Sequence, residues 1–210
     1  MLREIRNNYQ KHKLEEAFLP DDPTALFDLW LTEAIQGKVQ EPTAMVLATA
    51  ANGIPDARVV LLKEINEGNF HFYTNYNSSK AQQIKTNPQV ALNFFWPELE
   101  RQVRIKGSVS KVKEELSEEY FKIRPRESQL GAWASAQSET LVNRDELEQH
   151  YNRLEKQYEG EVIPRPAHWG GYQVKPNEIE FWQGRPGRLH DRIQYRSNIQ
   201  GRWTFRRLSP

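Results

Sequence analysis

Arg188, His190 and Arg192 follow a turn rich in glycine and proline, at spacing two, in the stretch FWQGRPGRLHDR that begins at Phe181. In an extended chain all three point to one face. Two guanidiniums and an imidazole so gathered repel one another unless an anion sits among them. Alone, the triplet reads as a solvated basic edge strand. It gains weight because other candidate anion ligands recur at separate places in the chain.

Arg58 and Lys63 bracket the apolar run RVVLLK. Five positions apart, they are expected on opposite faces of a strand and so on different anion groups; charges reaching solvent at strand ends are an equal reading. In YTNYNSSK, residues 73–80, a strand gives way to a helix. Free N–H groups, Ser78, Ser79 and Lys80 there face the positive end of a helix dipole, a natural anion site. Plain N-capping by Ser78 is the bland alternative. Tyr120 and Arg124 stand one helical turn apart, and Pro125 can start a new helix that presents Ser128. A phenol, a guanidinium and a hydroxyl suit a phosphate monoester, although a helix surface with an incidental arginine would read the same. Gln102 and the pair Gln137–Ser138 add neutral hydrogen-bonding groups.

Local pattern supplies the elements that must position these residues. Residues 2–18 are polar and read as a loosely packed helix. Asp22 and Pro23 open a helix whose apolar residues run from Leu26 to Ile35 and which Gly37 closes. The period then becomes two: strands over 43–50 and 57–62 flank the Asn52–Gly53 hairpin turn, and a third covers 70–74. A short helix over 79–86 ends before Pro88. Strands over 89–96 and 101–112 pair, and helices cover 114–123 and 143–158, the latter capped by Asn143. Short strands at 171–174, 178–182, 192–196 and 202–208 finish the chain. Hairpin-linked strands with a few helices between them predict a mainly β, α+β fold, an antiparallel barrel or sandwich, as one domain over residues 1–210 with a helical N-terminal arm of about twenty residues. No G-x-G-x-x-G follows a strand and no phosphate-binding P-loop occurs, so side chains must do most of any phosphate binding.

Composition narrows the function classes. A formal net charge of +1 provides no global field for nucleic acid or a membrane surface. Cysteine is absent, which removes disulfides and thiolate metal sites, and the five histidines lack paired metal-ligand spacing. No apolar run is long enough to span a bilayer and the N-terminus lacks a signal-peptide core, so a cytoplasmic protein is expected.

Together the segments DPTALFDLWL, PTAMVLAT, RVVLLK, FYTNYNSSKAQQI, LERQV, YFKIRPRESQLGAWAS, HWGGY, IEFWQG and RLHDR resemble the pyridoxine/pyridoxamine 5′-phosphate oxidase family from Arg6 to Pro210. The resemblance implies an FMN-binding split barrel working as a homodimer, with FMN at the subunit interface. It also implies oxidation of pyridoxine or pyridoxamine 5′-phosphate to pyridoxal 5′-phosphate, with hydride passing to flavin N5 and electrons to O2 to give hydrogen peroxide. By motif, Arg58, Lys80, Tyr73, Thr74 and Ser79 would lie at the FMN phosphate. Val59, Val60, Leu61, Leu62 and Lys63 would run along the cofactor. Gln102, Gln137, Ser138, Trp182 and Arg192 would complete its site, some from the partner chain. Lys63, Tyr120, Arg124 and Ser128 would take the substrate phosphate, while Arg188 and His190 would meet the substrate ring as the catalytic pair. Arg6 and Tyr9 would belong to an arm that covers bound substrate. Two departures stand out: the family often has arginine where this chain has Ser79, and the Arg185–Gly187 turn differs from its usual form. A related flavoprotein acting on another substrate, a nucleic-acid-binding barrel and a structural dimer module are the competing readings. The first need not keep Tyr120, Arg124, Ser128, Arg188 and His190 together, and near-neutral charge argues against the second.

Overall fold

Alternating apolar residues build one antiparallel sheet of nine strands among the described residues. In the computed structural model, which describes Glu4 and residues 8–210, β1 (Ala44–Ala51) buries Met45, Leu47 and Thr49 while their neighbours face outward. A hairpin joins it to β2 (Ile54–Leu61) through Asn52 and Gly53, both left-handed at φ 54° and 78°. That pair of conformations matches the right-handed twist of the flanking strands. The sheet continues with β3 (Glu64–Asn66), β4 (Asn69–Asn75), β5 (Gln89–Trp96) and β6 (Arg101–Lys111). It is completed by β7 (Trp169–Gln183), β8 (Asp191–Ser197) and β9 (Trp203–Arg207).

Strand order is β2-β1-β5-β6-β7-β4-β3, with β8 and then β9 branching from β7. One edge of β7 pairs with β6; the other is divided between β4, over residues 169–174, and β8, over residues 178–183. The sheet curls, and past β2 the N–H of Leu62 returns to Thr43 O while that of Lys63 reaches His71 O on β4. The result is the split-barrel form of an α+β fold. The β6–β7 register shifts where Lys106 faces Glu178 but Gly107 faces Pro176, leaving Asn177 unpaired in that ladder. Gly107 is required there, since a Cβ would stand 2.2 Å from Lys175 O.

Helix α1 (Pro23–Gln36) begins as expected: Asp22 Oδ1 accepts from Thr24 N and Pro23 takes the first helical position. Its Leu26, Phe27, Trp30 and Ala34 fill the curled sheet, with Phe27 edge-on to Phe70 at 5.0 Å and to Phe94 at 4.9 Å. Burying each such ring is worth roughly 1.5–3 kcal/mol, and Phe27→Ala would cost roughly 3–5 kcal/mol. A second apolar cluster lies outside the barrel, where α3 (Glu114–Ile123), α4 (Arg126–Ala134) and α5 (Arg144–Gln157) pack Phe121, Leu130 and Leu154 around Trp169. Asn143 caps α5 by accepting from Glu146 N. Among the described residues no helix is long and apolar enough to cross a membrane.

Several expectations are corrected. Residues 8–15 are not helical and Glu16–Phe18 form one 3-10 turn, because the N–H groups of Gln10, Lys11 and Leu14 bond to side chains elsewhere. The strands expected at 171–174 and 178–182 are one, carried past Lys175–Asn177 by the bulge. The short β3 carries too little pattern to be read from sequence. Arg188, His190 and Arg192 do not share an extended face: Gly187 and Arg188 are left-handed in a 3-10 turn at φ 63° and 64°, and only Arg192 lies in a strand. Arg6 falls outside the described residues.

Candidate active site

Four cations from four separate segments meet in one open cleft of about 730 Å³, and no carboxylate lines it. Arg58 comes from β2, Lys63 from the turn beyond it, Lys80 from helix α2 (Ser79–Thr86) and Arg124 from the corner between α3 and α4. The remaining polar lining is Tyr73, Thr74, Tyr120, Ser128 and Gln137, with Val59, Val60 and Leu61 along one wall. Arg58 and Lys63 therefore serve one cleft, against the expectation from strand alternation. Strand β2 stops at Leu61, so its alternation does not extend to Lys63. Leu62 turns into the core instead of the cleft.

At one end, Arg58 Nη1 donates to Thr49 Oγ1 (2.6 Å), and Nη2 donates to Gln83 Oε1 (2.8 Å) and Asp56 Oδ2 (2.5 Å). Gln83 Nε2 in turn donates to Asp56, and these bonds hold the Asp56 carboxyl below its ordinary range. Lys80 is buried. Its Nζ donates to Thr74 Oγ1 (3.2 Å), Gln137 Oε1 (3.1 Å) and Ser78 Oγ (3.5 Å), all uncharged oxygens. Burial, then the nearby Arg58 charge, lowers the Lys80 pKa. Such an ammonium is stabilised when an anion joins it. Ser78 does not cap α2 with its side chain, because its hydroxyl donates back to Asn75 O (2.7 Å). Ser79 N instead donates to Ser138 Oγ (3.2 Å), which ties the Gln137–Ser138 loop to the start of α2.

At the other end, Pro125 disfavours a helical Arg124, so α3 stops and Arg124 is extended at φ −67°, ψ 148°. Its guanidinium lies over the Trp169 ring, 4.4 Å from the centroid. Tyr73 and Tyr120 stack 4.0 Å apart, and Tyr73 stacks on Trp169 at 5.5 Å. Arg124 Nη1 is buried with no hydrogen-bond partner, a rare state for a guanidinium N–H. Burial also lowers the Arg124 pKa. Trp169, in the HWGGY motif, escaped the reading by residue type because an indole carries no charge; its flanking glycines were the available signal. Gly171 allows Tyr73 to approach, since a Cβ there would stand 2.7 Å from its ring.

The other expected site residues gather elsewhere on the chain. Phe95, Gln102, Trp182 and Arg192 form a row of register partners across β5 to β8. Arg192 donates from Nε (3.0 Å) and Nη2 (2.9 Å) to the buried Glu180. His190 packs against Trp182, with ring centroids 4.7 Å apart, and against Tyr9 at 5.8 Å. Its Nδ1 accepts from Arg185 N (3.1 Å), which places the proton of the neutral ring on Nε2. Burial, then Arg188, lowers its pKa, opposed by Asp191. Arg188 is exposed. None of Gln102, Trp182, Arg188, His190 and Arg192 lines the four-cation cleft of its own chain.

The fold is an antiparallel split barrel, and its cleft gathers four cations with no carboxylate in the lining. The family model described as pyridoxamine 5′-phosphate oxidase matches residues 31–158, and that described as the pyridoxine 5′-phosphate oxidase C-terminal dimerisation region matches residues 169–210. The chain belongs to the pyridoxine/pyridoxamine 5′-phosphate oxidase family. Relatives bearing that name include proteins of Leptospira biflexa and Neisseria gonorrhoeae, each 52% identical over 210 residues, covering 100% of this chain and 99% of the relative. PhzG of Burkholderia lata, solved in complex with tetrahydrophenazine-1-carboxylic acid, is 29% identical with a TM-score of 0.91, covering 97% of this chain and 100% of its own. An FMN-binding protein of Nostoc punctiforme shares the fold at 17% identity and a TM-score of 0.72, covering 91% of this chain and 100% of its own.

Proposed function

We propose that this chain is a homodimeric cytoplasmic oxidase that uses FMN to convert pyridoxine or pyridoxamine 5′-phosphate to pyridoxal 5′-phosphate. The observation that carries the reading is the carboxylate-free cleft with four cations, one of them holding an unpartnered guanidinium N–H. Arg58 with Lys80 and Lys63 with Arg124 suit two phosphates.

The residues fit FMN at the Arg58–Lys80 end. There a buried ammonium has only neutral partners, and the outer edge of β2 is unpaired beside Val59–Leu61. Arg58, Lys80, Thr74, Ser79, Gln137 and Ser138 would hold its phosphate. When bound, FMN supplies a hydride acceptor that O2 reoxidises with release of hydrogen peroxide. Lys63, Tyr120, Arg124 and Ser128 anchor the substrate phosphate, which fixes the far end of the substrate and so its orientation. Val59, Val60 and Leu61 would offer the flavin an apolar wall.

Arg188, His190, Trp182 and Arg192 fall within the region matched by the dimerisation model, and a second copy of the chain would bring them to the cleft. His190 then acts as a hydrogen-bond donor from Nε2, because Nδ1 is already engaged by Arg185 N–H and cannot readily take a proton. Pairing of β7, in the second matched region, with β4 and β6 of the first supports reading the chain as one domain.

The test is the visible spectrum of the purified protein during anaerobic addition of pyridoxamine or pyridoxine 5′-phosphate. Loss of the flavin band, its return in air and accumulation of pyridoxal 5′-phosphate are expected. A flavin band that neither compound bleaches, but that a tetrahydrophenazine carboxylic acid does, would move the chain to a different substrate class.

A further inference from the structure

The segment ahead of α1 is held by two carboxylates distant in sequence, Glu100 in mid-chain and Asp191 near the other end. The N–H groups of Gln10 and Lys11 both donate to Glu100 Oε2, at 2.9 and 3.0 Å, and Leu14 N donates to Asp191 Oδ2 at 3.1 Å. Glu100 is 8% exposed and left-handed, at φ 56° and ψ 39°, a conformation that a residue with a side chain adopts only at a cost. Its carbonyl accepts from Gly184 N (2.7 Å) and Gln183 Nε2 (3.2 Å). One residue thus grips two things: the N-terminal segment through its carboxylate and the end of β7 through its backbone.

Between those grips sits Tyr9. Its ring occupies the space of a Gly184 side chain, a Cβ there lying 2.7 Å from Tyr9 Cγ. It meets Trp182 edge-on at 5.6 Å, and Trp182 in turn packs on His190. A buried carboxylate satisfied by two amides of one segment is satisfied only while that segment is in place. We infer that Glu100 is a positioning residue that holds Tyr9 against the Trp182–His190 pair and thereby fixes the imidazole without touching substrate. The catalytic part of this inference rests on the proposed role of His190; the structural part does not.

The test uses the FMN-loaded full-length protein and the variants Glu100→Gln, Tyr9→Ala, their double mutant and Gly184→Ala. Loss of the charge at Glu100 should raise the rate of tryptic cleavage after Lys11 and Lys13 by about tenfold, as expected for one charge-assisted interaction. It should also change the tryptophan emission. kcat should fall by about tenfold with KM changed less than twofold, since the phosphate ligands are untouched. The double mutant should be no worse than Tyr9→Ala, because both act through one contact. Gly184→Ala, whose Cβ would stand 2.7 Å from Tyr9 Cγ and 3.0 Å from Glu100 Cβ, disturbs the same contact from the β7 side, should reproduce these effects and decides the question if Glu100→Gln does not fold. Wild-type cleavage rates in Glu100→Gln and Gly184→Ala, or additive losses in the double mutant, would overturn the inference. A wild-type protein inactive on both phosphates would defeat the proposed function, while the cleavage comparison would still decide what Glu100 holds.

Discussion

Arg124 lies face-on over Trp169 at 4.4 Å with one of its N–H groups buried and unpaired. The indole fixes the guanidinium from one side and leaves its donors for a ligand. Arg124→Ala should raise KM for either phosphorylated substrate by roughly 10–100-fold, the worth of hydrogen bonds to a charged group. Trp169→Leu should raise it less, by roughly 2–30-fold for the lost cation–π hold, and should also lower stability, because Trp169 centres the second apolar cluster. Steady-state kinetics check both, and an unchanged KM in Arg124→Ala would contradict the phosphate assignment.

Lys80 makes stability depend on alkaline pH. Its folded pKa is lowered by burial, so between that value and the ordinary lysine value of 10.5 the unfolded chain binds the extra proton. Stability of the FMN-free protein should therefore rise as pH climbs through the folded pKa towards 10.5. Lys80→Met should flatten that slope and weaken FMN binding together. Thermal melts from pH 8 to 10.5, with and without FMN, measure both; a slope that persists in the variant would assign it to another group.

His190 has a pKa below the usual histidine value because of burial and Arg188. Acid must put its proton on Nδ1, which breaks the bond from Arg185 N–H and frees the ring to turn, so turnover should hold at neutral pH and fall as the ring is protonated. Removing the neighbouring charge in Arg188→Met should move this acid limb to higher pH, besides lowering kcat. A pH profile of kcat in both proteins decides, and an acid limb at the same pH in each would remove Arg188 as a cause.

Ser79 stands at the first turn of α2, exposed, beside Lys80 and with its N–H on Ser138. Arginine there adds a cation at the cleft without displacing a buried group. Ser79→Arg should tighten FMN binding by about 2–5-fold at low salt, less at high salt. Titration of flavin fluorescence reads this, and weaker binding would mean that the FMN phosphate does not approach α2.

Period and turn chemistry made most of the sheet legible, because the alternation in β1, β5 and β6 is undisturbed and Asn52–Gly53 permits one turn. The helix from Pro23 and the corner at Pro125 were equally plain. What failed had no local signature. Residues 8–15 are polar enough for a surface helix, yet their amides are claimed by Glu100 and Asp191, far along the chain. The Arg188–His190–Arg192 triplet was misplaced because its spacing implied a strand where Gly187 and Arg188 turn left-handed. Within the cleft, charged residues were found by type, while Trp169 and the Thr49–Gln83–Asp56 support of Arg58 hold those charges through contacts that no spacing encodes.

Asn177 has a consequence for how the chain tolerates change in length. Trp182 lies thirteen positions after Trp169, an odd interval that in an unbroken strand would send the two indoles to opposite sides. The extra residue restores a common side: Tyr172 and Val174 before it, and Ile179 and Phe181 after it, all reach the core, so both tryptophans turn away from it. Deleting that single residue would swap inside for outside along one half of the strand. The arithmetic of β7 thus ties the phosphate corner to the histidine corner, and makes this the stretch where a gap of one is least forgivable.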